Sequence, residues 1–309
     1  MSDKKELKIS NKSDKPDNIV LRDHLLIEKA IKYEKRLPSF MKDYFVYLKG
    51  SVAVSTRAAY LEDIIFFCDY IVSESGLTDK DDIKDLTIED FKNIKSRDIN
   101  LFLGDFCPRY YKEREDHTFV YENNNRALAR KKSSLSTLFK FLYRNEQLPT
   151  NITDGFNPIK LPKPQPDAIK RLDIDEVMIM LEAVESGEGL TDKEKVYWEK
   201  TKLRDKAILA LFVTYGLRLN ELRELNISSF NFSRGEFKIY RKRGKEVLMP
   251  INKTCETVVI DYINCERPKS DDLDEEVKDA LFLSLQKKRL TSRAIRQLVK
   301  KYTSICMNT

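Results

Sequence analysis

Residues Leu203 to Tyr215 are apolar on nearly every side of a helix, and Gly216 follows them. A helix without a polar face has to be surrounded by other elements, so this run predicts a central buried helix. Glycine ends such a helix by adopting positive φ. The next residues, Leu217-Arg218-Leu219-Asn220-Glu221-Leu222-Arg223-Glu224-Leu225, begin a second helix at once, with Arg218 in the turn between the two. Phe237 and Ile239 then alternate with Lys238 and Tyr240, the pattern of a strand, and Val247 to Ile251 gives another. Arg241 to Glu246 is left as the turn of a hairpin.

The remaining pattern is helical. Leu61, Ile64, Ile65, Cys68, Ile71 and Val72 form one apolar stripe, on a helix that Ser55 or Thr56 can cap. From about Asn125 to Asn145 the two faces separate cleanly. Leu128, Leu135, Leu138, Phe139 and Leu142 fall on one side, and Arg126, Arg130, Ser133, Thr137, Lys140 and Arg144 on the other. Lys131 and Lys132, at the margins of the apolar stripe, are expected to snorkel. Four prolines in Phe156 to Asp167 mark an extended linker. The expected organisation is a disordered or loosely ordered lead-in (1–36), a helical domain (37–150), a Pro-rich linker (151–171) and a second domain (172–309). Further helices are expected at Asp173 or Asp175 to Val184, Cys255 to Ile263 and Ser292 to Tyr302, with Ser186 to Asp192 as a loop.

Charge narrows the partner. The net charge of +6 is unevenly spread. Residues 125–171 hold ten Lys/Arg against three Asp/Glu, residues 234–247 six against two, and residues 286–301 seven against none. Positive segments in an otherwise acidic chain suit a polyanion, although each segment read alone also fits a solvated face. The five cysteines are scattered with no CxxC pair, which argues against disulfide or metal sites. No apolar run is long enough to cross a bilayer and the N-terminus lacks a signal-peptide pattern, so cytoplasmic residence is the expectation.

Arg218 carries the most chemistry. A guanidinium beside the free amides of a helix start can hold phosphate oxygens and stabilise added charge on them. The competing reading is a simple ion pair with Glu221. A hairpin lysine, Lys242 or its neighbour Lys245, can place an ammonium near a leaving oxygen; a soluble charged turn is the alternative.

The ordered set Gly216-Leu-Arg-x-x-Glu-Leu222, then Lys242 on a hairpin, then Leu290-Thr-Ser-Arg-Ala-Ile-Arg-Gln-Leu-Val-Lys-Lys-Tyr302 resembles the tyrosine recombinases, the Xer-type phage integrases. The resemblance covers about residues 37–309. It implies a mainly α protein: an N-terminal helical, SAM-like core-binding domain, and an α+β catalytic domain with a small hairpin sheet. It implies that Arg218 binds the scissile phosphate, that Glu221 supports it, and that Lys242 is the general acid toward the leaving 5′ oxygen. DNA contacts are expected from the Arg126 to Arg144 face, from Arg241, Arg243 and Lys245, and from Arg293 and Arg296. Double-stranded DNA is the implied partner, within a homo-tetramer in the intact family. No cofactor, metal, membrane or small-molecule substrate is implied.

The chain departs from the family pattern in one respect. The family's His-x-x-Arg, a further His or Trp, and the nucleophilic Tyr come later in the chain, and no histidine follows His117. Tyr302 lies on the helix before that motif, where an aromatic packing role is expected. The resemblance therefore implies a catalytic domain incomplete at its C-terminus, with no nucleophile in this chain: DNA-binding but cleavage-deficient. A non-catalytic competitor of an intact recombinase and a basic helical module without DNA function are the alternative readings.

Overall fold

The computed structural model describes residues 15–114, 117–162, 171–241 and 245–306. The chain is mainly helical and divides into two compact units, one built from residues 20–166 and the other from 13–19 and 167–309. The first 14 residues of the expected lead-in and the linker residues 163–170 lie outside the described residues.

In the first unit, α1 (Asp17–Glu34) occupies half of the segment expected to be a loose lead-in. Pro16 precedes its first turn, a start signal that the polar composition masks. Ala30 is fully buried in the unit's core, and Glu34 pairs with the buried Arg57. Burial of these groups, not local propensity, accounts for this helix. The helices α2 (Lys42–Ser51), α3 (Val54–Ser73), α4 (Ile88–Asn93) and α5 (Ser96–Leu101) follow. A π-helical turn, Phe102–Phe106, continues α5. The two-faced segment is α6 (Asn125–Arg144), capped by Asn124, whose side chain accepts from the amide of Ala127 at 3.0 Å. Its Leu135, Leu138 and Leu142 pack with Leu61, Ile64 and Cys68 of α3, all fully buried.

One element contradicts an all-helical first domain. Strands β1 (Arg109–Arg114) and β2 (His117–Glu122) form an antiparallel ribbon with Tyr110 opposite Tyr121 and Tyr111 opposite Val120. Tyr110 stacks on Tyr121 at 5.2 Å and lies 4.8 Å from Phe66, so cross-strand aromatic contact holds the ribbon to α3.

In the second unit, α7 (Ile174–Ser186) starts at Asp173, whose amide donates to Glu176, and ends at Gly187 with φ +73°. The expected loop, Ser186 to Asp192, leads into α8 (Asp192–Trp198), a helix that the sequence reading did not include. The apolar run is α9 (Lys202–Tyr215), terminated by Gly216 at φ +56°. The neighbours of α9 are α7, α11 (Lys253–Cys265) and α10 (Leu219–Arg223). Strands β3 (Phe230–Asn231), β4 (Glu236–Tyr240) and β5 (Glu246–Pro250) make one antiparallel sheet in that order, with Ile239 opposite Val247. The last described helix is α12 (Ser292–Cys306), beside α7 and α10.

Candidate functional site

The αL turn at Gly216 lets the chain reverse between α9 and α10, and Arg218 becomes the residue before α10. Its side chain is 66% exposed. Glu221, one turn into α10, is only 6% exposed and organises the turn. One carboxylate oxygen accepts from the Arg218 amide at 2.9 Å and the other from its guanidinium at 2.7 Å. The same oxygen that takes the Arg218 guanidinium lies 3.9 Å from Nε of Arg241, the residue just past β4. A buried carboxylate thus holds two exposed guanidiniums, one from the helix start and one from the hairpin. The Arg241 amide donates to the Lys245 carbonyl at 2.8 Å, which closes the hairpin below its tip.

Lys242 and Arg243, expected in the hairpin turn, lie outside the described residues. Lys245 is exposed. Ser292 donates to Asn220 at 3.3 Å, so α12 begins beside the turn that carries Arg218. Arg293 and Arg296 are exposed on α12. The other cations of the 286–301 window are partly spent inside the unit. Arg289 donates to the carbonyls of Arg223 and Leu225 and to Asn226. Lys301 pairs with the buried Asp205 at 3.3 Å.

Tyr302 is fully buried, and its hydroxyl donates to Asp205 at 3.1 Å. Burial first, and Asp205 second, push the phenol above its usual pKa. That is the opposite of what an attacking phenolate requires.

In the first unit, the polar face of α6 exposes Arg126, Arg130, Ser133, Lys140 and Arg144, and half-buries Thr137. Ser133, Thr137, Lys140, Lys132 and Ser136 line a shallow depression of about 450 Å³ on this face. Arg130 has a second role, and one expectation, for Lys131, needs correction. Arg130 donates to Asp63 at 2.5 Å and to the Ala59 carbonyl, so part of its guanidinium fastens α6 to α3. Lys131 does not snorkel: it is 8% exposed, pairs with Asp63 at 3.1 Å and sits over the Phe66 ring. The signal for this was Asp63, an acid on the apolar side of α3 four residues after Ala59. Lys132 caps the carbonyls of Phe156 and Asn157.

Among the described residues, no group of three or more His, Cys, Asp or Glu could hold a metal ion, and no helix is long and apolar enough to cross a membrane. The cysteines are free thiols, buried except Cys265.

The phage integrase family profile matches residues 170–304. The chain is 26% identical over 266 residues to the tyrosine recombinase XerC of Syntrophus aciditrophicus, which covers 85% of this chain and 76% of that protein. It is 28% identical over 292 residues to XerC of Caldanaerobacter subterraneus, covering 92% and 72%. Among solved structures, the XerH site-specific recombinase bound to difH substrate, in a pre-cleavage complex, superposes with a TM-score of 0.56 at 16% identity, over 97% of this chain and 76% of that one. That likeness is one of fold.

Proposed function

We propose how this chain, which belongs to the phage integrase family of tyrosine recombinases and so to site-specific DNA recombination, handles a DNA phosphate. Arg218 holds the scissile phosphate, with its guanidinium aimed by Glu221. Arg241 stands beside it as a second cation, and Lys242 at the hairpin tip protonates the leaving 5′ oxygen. Arg126, Ser133, Thr137, Lys140 and Arg144 on α6, Arg243 and Lys245 on the hairpin, and Arg293 and Arg296 on α12 contact flanking phosphates, while Arg130 serves chiefly to fix α6. The observation that carries this reading is the shared grip of Glu221 on Arg218 and Arg241. It joins the helix start to the residue directly before Lys242. Two oriented guanidiniums stabilise a phosphate under attack because they need no reorganisation as its charge grows.

Duplex DNA is the proposed partner, in keeping with the substrate-bound XerH relative, and cytoplasmic residence is proposed with it. Residues 37–150 form the core-binding part and 172–309 the catalytic part. A homo-tetramer is the proposed assembly on DNA. Residues 1–309 are proposed to bind DNA without cutting it. No histidine follows His117, and Tyr302 is buried against Asp205.

The test is duplex binding by the 309-residue protein, its Arg218→Gln variant and its Lys242→Gln variant, alongside incubation with supercoiled plasmid. Each substitution is expected to weaken binding, by about 1.5–3 kcal/mol for Arg218, the range of a hydrogen bond to a charged group, and the plasmid to stay supercoiled. Unchanged affinity in the Arg218 variant refutes the phosphate assignment. Relaxation that survives Tyr302→Phe refutes the absence of a nucleophile.

A further inference from the structure

The ribbon β1–β2 is poorly suited to holding phosphates. Residues 109–122 carry three Lys/Arg against four Asp/Glu, a balance that a DNA groove does not attract. Its geometry fits a different partner. The Asn123 amide donates to the Pro108 carbonyl at 2.9 Å, just outside the ribbon's first pair. Hydrogen-bonded and non-hydrogen-bonded pairs alternate along an antiparallel ladder. Counting from that bond along the register, Thr118, Val120 and Glu122 are the β2 residues whose amides and carbonyls point away from β1. Among the described residues the sheet has two strands, so this row is an open edge.

The two edges differ in chemistry. The outward row of β1 is Arg109, Tyr111 and Glu113, flanked by Lys112 and Arg114. Charges of this kind blunt an edge against pairing. Strand β2 contains no Lys, Arg or Pro, and its middle residues Phe119 and Val120 are 45% and 49% exposed. An unguarded, partly apolar edge is a template for another strand.

We propose that β2 pairs antiparallel, edge to edge, with β2 of a second copy of this chain, about a two-fold axis at Val120. In that register Val120 faces the partner's Val120, and Thr118 faces the partner's Glu122, so a hydroxyl can donate to a carboxylate. On the other face Phe119 meets the partner's Tyr121, an aromatic pair like the one that already joins Tyr110 to Tyr121 within the ribbon. Roughly six main-chain hydrogen bonds would form, since each outward residue pairs with another outward residue. Moving the axis to Glu122 would oppose two carboxylates, which disfavours that register. The result is a four-stranded sheet across two copies. A contact this small is weak in free solution.

The test is sedimentation velocity on the full chain from about 10 µM to about 1 mM, the range of weak association. Wild type is expected to self-associate, with slower amide exchange at Thr118, Val120 and Glu122 as concentration rises. Val120→Pro removes an amide that points away from β1, so the ribbon tolerates it. It should weaken association at least about tenfold, because each copy loses a hydrogen bond at the axis. Val120→Lys, which guards the edge, should do the same. Tyr111→Pro, the matched change on the β1 edge, should leave association unchanged. A wild type that stays monomeric throughout overturns the proposal. So does association that survives both Val120 variants, or that Tyr111→Pro abolishes equally. Duplex binding measured in parallel separates this from the phosphate reading: a wild type with no DNA affinity refutes that reading and leaves the strand pairing standing.

Discussion

Asp63, Asp205 and Glu221 are each 6% exposed or less, and each has two cationic side chains within ion-pair distance. A carboxylate out of water is costly, and the attraction of its partners roughly offsets that cost rather than exceeding it. Asp63 shows the balance: burial pushes its carboxyl above the usual range, while Lys131 and Arg130 pull it back. Its value lies in direction. It fixes α6 against α3, and with α6 the row that contains Arg126, Lys140 and Arg144. Asp63→Ala leaves the 8%-exposed Lys131 ammonium unpaired, and is expected to cost about 3 kcal/mol in urea unfolding. A loss below roughly 0.5 kcal/mol would mean that Lys131 swings out to water. At Glu221 the change to Gln keeps the shape and one acceptor but gives up the charge-assisted bond. A loss of about 1–2 kcal/mol is expected, together with weaker duplex binding, because Arg218 is no longer aimed. Stability loss with unaltered DNA affinity would reduce Glu221 to a capping residue.

Elements with a complete local signal could be read from the chain. Asp173 with Glu176 is such a start, bonded where its spacing says it should be, whereas the helix expected to be capped by Ser55 or Thr56 begins at Val54 with no side-chain bond from its cap, Ala53. The run ending at Gly216 and the strands around Arg241 were equally plain, because burial and alternation leave few options. What could not be read depends on distant contacts. Helix α1 is amphipathic only with respect to a core containing Leu61 and Phe67, and the β1–β2 ribbon only with respect to Phe66. Pairing of Arg130 and Lys131 with Asp63 spans more than sixty residues and leaves no periodic trace. Helix α8 was missed although it carries a local signal: Thr191 accepts from the Glu194 amide, and Glu194 accepts from the Thr191 amide and hydroxyl. Its brevity hid it among lysines. Those bonds hold the Glu194 carboxyl below its ordinary 4.5. A depressed carboxyl adds stability that is complete above 4.5 and fades as pH falls through the folded value. The single tryptophan, Trp198, ends α8 and donates to the Val184 carbonyl at 2.8 Å, so its fluorescence reports the docking of this helix. Thr191→Ala is expected to cost about 1 kcal/mol and to remove the acid-dependent part of the Trp198 signal. A variant whose signal still changes below pH 4.5 as wild type does would place the titrating group elsewhere.

Charge belongs to the molecule as a whole, and the sequence overstates it. The three basic windows together hold 23 Lys/Arg, yet Arg130, Lys131, Arg289 and Lys301 are bonded within their own units. Lys132 is held by carbonyls, and Arg218 shares its charge with Glu221. Of the residues expected to meet DNA, Arg126, Lys140, Arg144, Lys245, Arg293 and Arg296 have no ion-pair partner among the described residues. These six are the cations with least to give up on meeting a phosphate. Each neutralised phosphate releases condensed counterions, which gives about −0.9 in the slope of log K against log salt. Six contacts alone predict a slope near −5, and the four further cations proposed at the phosphates, Arg218, Arg241, Lys242 and Arg243, carry it to about −9, whereas full use of the basic windows would predict one more than twice as steep again. The measurement is duplex affinity of the 309-residue protein across a range of salt concentrations, repeated with Lys140→Gln and Arg293→Gln. Each substitution should shallow the slope by about one while leaving sequence preference intact, since phosphate contacts position and do not specify. A flat response would assign the basic segments to solvation. A slope far steeper than about −9 would show that Arg130 and Arg289 leave their carboxylate, carbonyl and amide partners on binding, and that the resting fold rearranges around DNA.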